Sequence, residues 1–364
     1  MRFHAPYIEW AKKRPAAQFD LAGSNVSSCS IDDLEGAFDA LALTGANDNG
    51  YEPLVEAIAR RYGVTADRVA TANGAAGANF QAFAALVEPG DDVLIERPGY
   101  DPLIGAVRLL GANIVRFDRR FEVGFALDPA AVAQAVTART KLIVVTSPHN
   151  PTGALADRAA LAEIGAIASR SGARVLVDEV YLDASDPSLH PVALLGDAFI
   201  STSSLTKSYG LSSLRCGWSI SSPSTAERIR RARDVIDGSG SIAAERLATL
   251  AFSQLDRLEA RALALLETNR TLVHDFMRRQ PALEVVLPRR STILFPRIRG
   301  VQDTSAFAER LFREHGTAVV PGRFFEAPAH FRLGFGGPTA VVKGGLEQLG
   351  AALNQLVVDC GESD

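Results

Sequence analysis

Along residues 53–204 the chain switches repeatedly between two periods of apolar residues. "EPLVEAIARRYG" repeats them at helical spacing, with Pro53 near the start, where a proline is tolerated. "DRVATAN" reads as a short strand, and "AAGANFQAFAALVEPG" as a helix stopped by Pro89-Gly90. The alternation continues: "DDVLIERP" strand, "YDPLIGAVRLLG" helix, "NIVRF" strand, "LDPAAVAQAVTART" helix. "KLIVVTSPHNP" is a buried strand running into a turn, "ALADRAALAEIGAIASRSG" a long helix, and "ARVLVDEVYLD" and "AFISTSS" are strands. Strands separated by helices of this length require crossover connections, which are right-handed and build a mostly parallel sheet.

From about residue 223 the texture changes. "STAERIRRARDVIDG" and "SIAAERLATLAFSQLDRLEARALALLETNRTLVHDFMRRQ" read as long helices. Beyond Pro281 short strands ("STILFPRI", "HFRLGFG") mix with helices ("TSAFAERLFREHG", "AVVKGGLEQLGAALNQLV"). The expectation is an α/β protein with a large domain over residues 45–280. Residues 1–44 and 281–364 would form a smaller α+β domain. At 364 residues the chain exceeds one ordinary core, which fits two domains.

Composition narrows the class. Charged residues make up 22% and hydrophobic ones 47%, ordinary values for a globular protein. A net charge of -4 gives no general attraction to nucleic acid or anionic membrane. Three distant cysteines, Cys29, Cys216 and Cys360, make neither a disulfide framework nor a zinc motif and fit a reducing cytoplasm. The N-terminal stretch has no apolar signal core, and nothing reads as a membrane span.

The chemistry is expected beyond the carboxyl ends of the parallel strands, where ligands bind in such sheets. Asn73-Gly74-Ala75-Ala76-Gly77 makes a small-residue turn into a helix N-terminus, either a phosphate cradle or a turn kept small for packing. "PHNPTG" puts Asn150 at a strand tip in a turn fixed by Pro148 and Pro151; His149 reads as a turn residue. Asp178 ends a buried strand, where an acid is expensive unless paired, or else caps or meets solvent. "STSSLTKSYGLSSLRCGW" surrounds Lys207 with hydroxyls. Only five of the 38 basic residues are lysine, so an amine there asks for a reason that a guanidinium cannot satisfy. An amine can lose its proton and form a Schiff base. Lysine for an aldehyde, carboxylate for a pyridinium nitrogen and helix N-terminus for a phosphate together describe a pyridoxal phosphate site.

The chain resembles the class I/II aminotransferases of the fold-type I pyridoxal phosphate enzymes over nearly its whole length. "SPHNPTG", "VDEVY" and "SLTKSYGLSSLRCGW" match that family's best-known blocks, and "GYEPLVEAIARRYG", "TANGAAGA", "EPGDDVLIERPGYDP" and "FRLGFG" match weaker ones, in the family's order. The resemblance implies a large domain with a mostly parallel seven-stranded sheet, pyridoxal 5'-phosphate as cofactor, and a homodimer with shared sites. It implies Lys207 as the Schiff-base lysine, Asp178 as the pyridinium partner, and Asn150 and Tyr181 as donors to the ring's phenolic oxygen. Tyr100 would stack on the ring. Gly74, the amides of Ala75 and Ala76, Ser204 and Arg215 would hold the phosphate. Tyr51 would reach the phosphate of the neighbouring subunit. Arg332, with Asn150 and Gly23, would take the substrate. The phosphate turn departs from many relatives in having Ala75 and Ala76 where they place Ser or Thr.

The resemblance implies transfer of an amino group between an L-amino acid and a 2-oxo acid. The same fold and lysine also serve lyases and cyclases. The stretch "YIEWAKKRPAAQFDLAGSNVSSCSIDDL" is similar to a subgroup that includes enzymes acting on guanidino amino acids, where elimination and ring closure replace transamination. A dinucleotide oxidoreductase is disfavoured because no GxGxxG follows the first strand, and a non-catalytic sensor because no length remains for a DNA-binding domain.

Overall fold

The computed structural model describes residues 4–361. Its centre is a sheet of seven strands: β1 (Val69–Asn73), β2 (Asp92–Arg97), β3 (Asn113–Asp118), β4 (Thr140–Thr146), β5 (Arg174–Asp178), β6 (Phe199–Ser204) and β7 (Cys216–Ile220). Their order across the sheet is β1-β7-β6-β5-β4-β2-β3. Only β7 runs against its neighbours, β6 and β1. The other pairings are parallel. Six carboxyl ends therefore lie along one edge, and β7 begins at that same edge.

The apolar runs explain why this sheet is central. Leu94, Ile143, Val145, Val175 and Val177 bury one face against Leu161 and Ile164 of helix Arg158–Ser171. Val93, Ile95, Leu142, Val144, Leu176 and Ile200 bury the other against Phe83, Leu103, Ile104 and Ile229. Alternate residues of one strand thus face opposite helix layers, which is why the strands read as continuous apolar runs. Each such side chain contributes about 1.5–3 kcal/mol by leaving water.

A second core joins the two ends of the chain. Leu21 and Val26 pack with Leu294, Phe331, Leu333, Val342 and Leu349. Phe19–Asp20 pairs in parallel with Thr317–Ala318, and strand Phe331–Gly334 lies between Ile293–Leu294 and Val320–Pro321. The close approach of the N-terminal segment requires Gly334, because a Cβ there would stand 1.6 Å from the Gly23 carbonyl oxygen.

Four local readings change. "ARVLVDEVYLD" is a strand only as far as Asp178 and then turns into helix Leu182–Ser185. The stretch expected as an unbroken run from Ser241 forms two helices, Ile242–Phe252 and Leu255–Arg279, separated at Ser253-Gln254, where the Ser253 hydroxyl bonds back to the Leu250 carbonyl. "STILFPRI" is two short strands, Ile293–Leu294 and Arg297–Ile298, parted at Pro296, which has no amide hydrogen for a ladder. His149 is more than a turn residue: it is fully buried, with Nε2 2.9 Å from the Pro98 carbonyl and Nδ1 2.8 Å from Thr152 Oγ1. Among the described residues no helix is long and apolar enough to cross a membrane.

Candidate active site

A cavity of about 900 Å³ opens at the carboxyl edge of the sheet, and Ala75, Ala76, Tyr100, Asn150, Asp178, Tyr181, Ser204, Lys207 and Arg215 all line it. These residues come from five separate strand ends or the turns after them, so the parallel topology gathers what the sequence scatters over 140 positions. That convergence is the expected consequence of strands ending on one edge.

Lys207 follows β6 in the turn leading to β7. Its Nζ donates to Ser24 Oγ at 3.0 Å and Asn25 Oδ1 at 2.6 Å. Both acceptors are neutral, so no carboxylate is bonded to the amine. Burial, chiefly, and then the Arg332 and Arg215 charges lower the lysine pKa to about 7, against an opposing pull from Asp178. The amine also lies 5.9 Å from the centre of the Tyr181 ring. Burial pushes the Tyr181 phenol up to about 12, so it is a hydrogen-bond donor at neutral pH.

Asp178 is buried at the end of β5. Its Oδ2 accepts from Asn79 Nδ2 at 2.8 Å and its Oδ1 from the Val180 amide at 3.1 Å. Burial raises its pKa, and the Asn79 and Val180 bonds and the Lys207 charge oppose that rise. Across the cavity, the turn after β1 enters helix Gly74–Leu86. Gly74 sits at φ 73°, and a Cβ there would lie 2.3 Å from Arg215 Nη2. Arg215 itself takes a left-handed φ of 51° at the start of β7, which turns its guanidinium back to the Asn73 carbonyl at 3.3 Å. Gly74 is therefore a steric necessity of this turn.

Arg332 is fully buried in the central strand of the C-terminal sheet. Its Nη1 donates to Asn150 Oδ1 at 2.9 Å, and its Nη2 to Tyr7 Oη at 2.6 Å and to the Ala22 carbonyl at 3.1 Å. Its Nε is buried without a partner. Gly23 lines a shallower recess beside this point, together with Tyr7, Ser24, Asn25 and Lys207. Tyr51 is the one sequence-selected residue outside this cluster. Its hydroxyl accepts from Arg246 Nη1 at 3.3 Å, and the same guanidinium lies 5.7 Å above its ring.

Sequence reasoning missed Tyr7, Ser24, Asn25, Asn79 and Thr202. Tyr7 and the Ser24-Asn25 pair belong to a segment singled out for its likeness to a subgroup and, by candidate site residue, only for Gly23; Tyr7 lies in helix Pro6–Lys13. Asn79 was hidden inside an Ala-rich helix, where one amide makes no pattern. Thr202 lay in a strand rich in hydroxyls, with nothing to single it out.

The model of the family Aminotransferase class I and II matches residues 26–349, so the chain belongs to that family. Pyridoxal phosphate is the family's cofactor. Among individual relatives, the capreomycidine synthase of Streptomyces vinaceus is 32% identical over 363 residues, covering 96% of this chain and 93% of that protein. A pyridoxal phosphate-dependent aminotransferase from Streptococcus suis is similar with a TM-score of 0.92 and 28% identity, over 98% of this chain and 99% of that one. The pyridoxal phosphate-dependent cyclase OrfR is similar with a TM-score of 0.86 and 26% identity, over 97% of each chain. These likenesses agree with the fold-type I architecture expected from the sequence motifs.

Proposed function

We propose that the chain transfers an amino group between an L-amino acid and a 2-oxo acid, with Lys207 as both cofactor anchor and proton carrier. The observation that carries this reading is the state of that lysine. An amine with a pKa of about 7, lining a cavity of this size, is a free base often enough near neutral pH to attack an aldehyde. An ordinary surface lysine is protonated there almost completely.

The donor set fits the family's cofactor. Thr206 Oγ1 is buried without a partner and lines the same cavity as the Ser204 hydroxyl, the Arg215 guanidinium and the residues that open helix Gly74–Leu86. Together these would hold a phosphate, the helix N-terminus adding a positive dipole end. Asp178 would pair with the ring nitrogen, and Tyr181 and Asn150 would donate to the ring oxygen. Tyr100 offers an aromatic face. When bound, pyridoxal phosphate supplies an electron-accepting ring that stabilises the negative charge left at the substrate Cα. Arg332 would hold the substrate carboxylate, and its buried Nε and Nη atoms present the planar fork that suits a carboxylate. Lys207, whose amine lines this cavity, would move the proton at the substrate Cα. Positioned proton transfer of this kind contributes roughly 10²–10⁴-fold.

Tyr51 lies away from its own chain's cavity and would serve the cavity of a second copy, which makes the working unit a homodimer. The N-terminal segment up to residue 44 and the chain beyond residue 281 would act as a small domain on the cavity's far side. The absence of a membrane-spanning helix among the described residues is compatible with a cytoplasmic setting.

The likeness to capreomycidine synthase and to the cyclase favours a second reading. In it a guanidino amino acid loses a group at Cβ or Cγ and closes a ring, and no 2-oxo acid accepts nitrogen. The purified enzyme is offered each of the twenty amino acids, and ornithine-like and guanidino amines, with pyruvate or 2-oxoglutarate. A new 2-oxo acid supports transamination, and a cyclised or eliminated product without one supports the alternative. Lys207→Ala is expected to lose the visible absorbance of bound cofactor, its borohydride trapping, and nearly all turnover. Normal turnover by that variant rules out both readings.

A further inference from the structure

Behind Asp178 lies a buried amide held between two hydrogen-bonding partners. Asn79, 3% exposed, donates through Nδ2 to Asp178 Oδ2 at 2.8 Å and accepts through Oδ1 from the Thr202 hydroxyl at 2.6 Å. Thr202 is fully buried in β6, where it is the register partner of Asp178 in β5. An ionised carboxylate only accepts, so it takes the amide NH₂, and the amide oxygen is left facing Thr202, whose hydroxyl donates to it.

We propose that Thr202 and Asn79 form a two-step relay that keeps Asp178 in its charged form, with Asn79 as a positioning residue for the cofactor's ring nitrogen. The inference rests on the reading of Asp178 as the partner of that nitrogen. The chemistry is a contest for one proton between a carboxylate and a pyridine. A donor aimed at the carboxylate stabilises the anion and leaves the proton on nitrogen. Without that donor the buried carboxylate becomes a stronger base and takes the proton, and the ring accepts electrons less well. The other bonded donor to Asp178, the Val180 amide, belongs to the backbone and cannot be varied by sequence. The ionisable groups that feel Asp178 from neighbouring elements are Lys207, Tyr100 and Tyr181. Only Lys207 among them can carry positive charge, and its amine is the group proposed to hold the cofactor. The neutral donor from Asn79 is thus the side-chain stabiliser of the carboxylate that persists after loading.

The test uses the loaded enzyme with ring-¹⁵N pyridoxal phosphate and reads the nitrogen's chemical shift, with the cofactor dissociation constant measured alongside. In the wild type the shift is expected in the pyridinium range. Asn79→Leu is expected to move it toward neutral pyridine and to weaken cofactor binding roughly tenfold or more, the usual scale for a hydrogen bond to a charged group. Thr202→Val, which frees the amide to flip, should move both quantities the same way by less, and Thr202→Ser should restore them. A side chain that only supports packing would lower thermal stability and leave the nitrogen shift in place. An unmoved shift in Asn79→Leu overturns the relay, and if that variant does not fold, an unmoved shift in Thr202→Val does so. A wild-type nitrogen already in the neutral range overturns instead the role given to Asp178, so the two failures are separable.

Discussion

Asp178 and Glu179 are successive acids, both at least 95% buried, and they have opposite fates. Asp178 lines the large cavity and accepts from two donors. Glu179 turns to the other side of the sheet, into a void of about 10 Å³ among Tyr62, Asp183, Ser201 and Trp218. There it accepts from the Val192 amide, at 3.1 and 3.3 Å, and from the Ser201 hydroxyl. Burial pushes its pKa to about 8, with Asp183 adding to the rise against the Ser201 and Val192 bonds. At neutral pH it is mostly a neutral carboxylic acid holding a turn. Asp178 ends β5 and Glu179 continues its extended backbone, donating its amide to the Thr202 carbonyl, so the two side chains face opposite sides. What makes one acid serviceable is access to a cation through a cavity, and two letters of sequence cannot say which of them has it.

Three experiments can break or sharpen this contrast. The largest effect is expected from Asp178→Asn, which should lower turnover by roughly 10²–10³-fold, the scale of losing one preorganised electrostatic partner. Glu179→Gln should leave turnover within a few-fold of wild type. If the two variants lose activity equally, the division of labour is wrong.

An intermediate effect is expected in the capture of pyridoxal phosphate by the apoprotein. The capture rate should rise with pH through about 7, as Lys207 becomes a free base, and then level off well below the ordinary lysine range. Asp178 raises the Lys207 pKa, so Asp178→Asn should move this midpoint down, and Glu179→Gln should leave it in place. Stopped-flow absorbance across pH 5–10 reads both.

The smallest effect concerns stability. The folded pKa of Glu179 lies above its unfolded value, so the folded state binds the extra proton. The associated stability is fully present below about pH 4.5, falls as pH rises, and is gone above about 8. Glutamine does not titrate. Urea midpoints at pH 5 and pH 9 should therefore show Glu179→Gln gaining on the wild type at the higher pH. No change in the difference between the two pH values would mean that Glu179 is charged throughout.

Much of this arrangement was legible in the sequence, for identifiable reasons. The parallel strands announced themselves because both faces are buried and the runs are uninterrupted. Asn150, Asp178, Ser204 and Lys207 stood out because polar residues at the ends of such runs demand an explanation. Strand β7 was read only as part of a motif: "CGWSI" carries one large apolar residue between small and polar ones, and its reversal depends on the αL turn at Arg215. Asn79 and Thr202 escaped because their meaning is a distance across the sheet, 123 positions apart in the chain. Tyr7 escaped for the same reason, meeting Arg332 across 325 positions.

The strap formed by residues 19–27 carries a last implication. The Gly334 amide donates to the Leu21 carbonyl, the Ser27 amide to the Gly336 carbonyl, and the Val26 amide to the Lys207 carbonyl. A ribosome releases this strap 309 residues ahead of one of its bonding partners, Gly336. The nascent chain must carry Ser27 without that partner for all 309 of those residues, and the berth for the vitamin-derived group is finished only after Gly336 has left the ribosome.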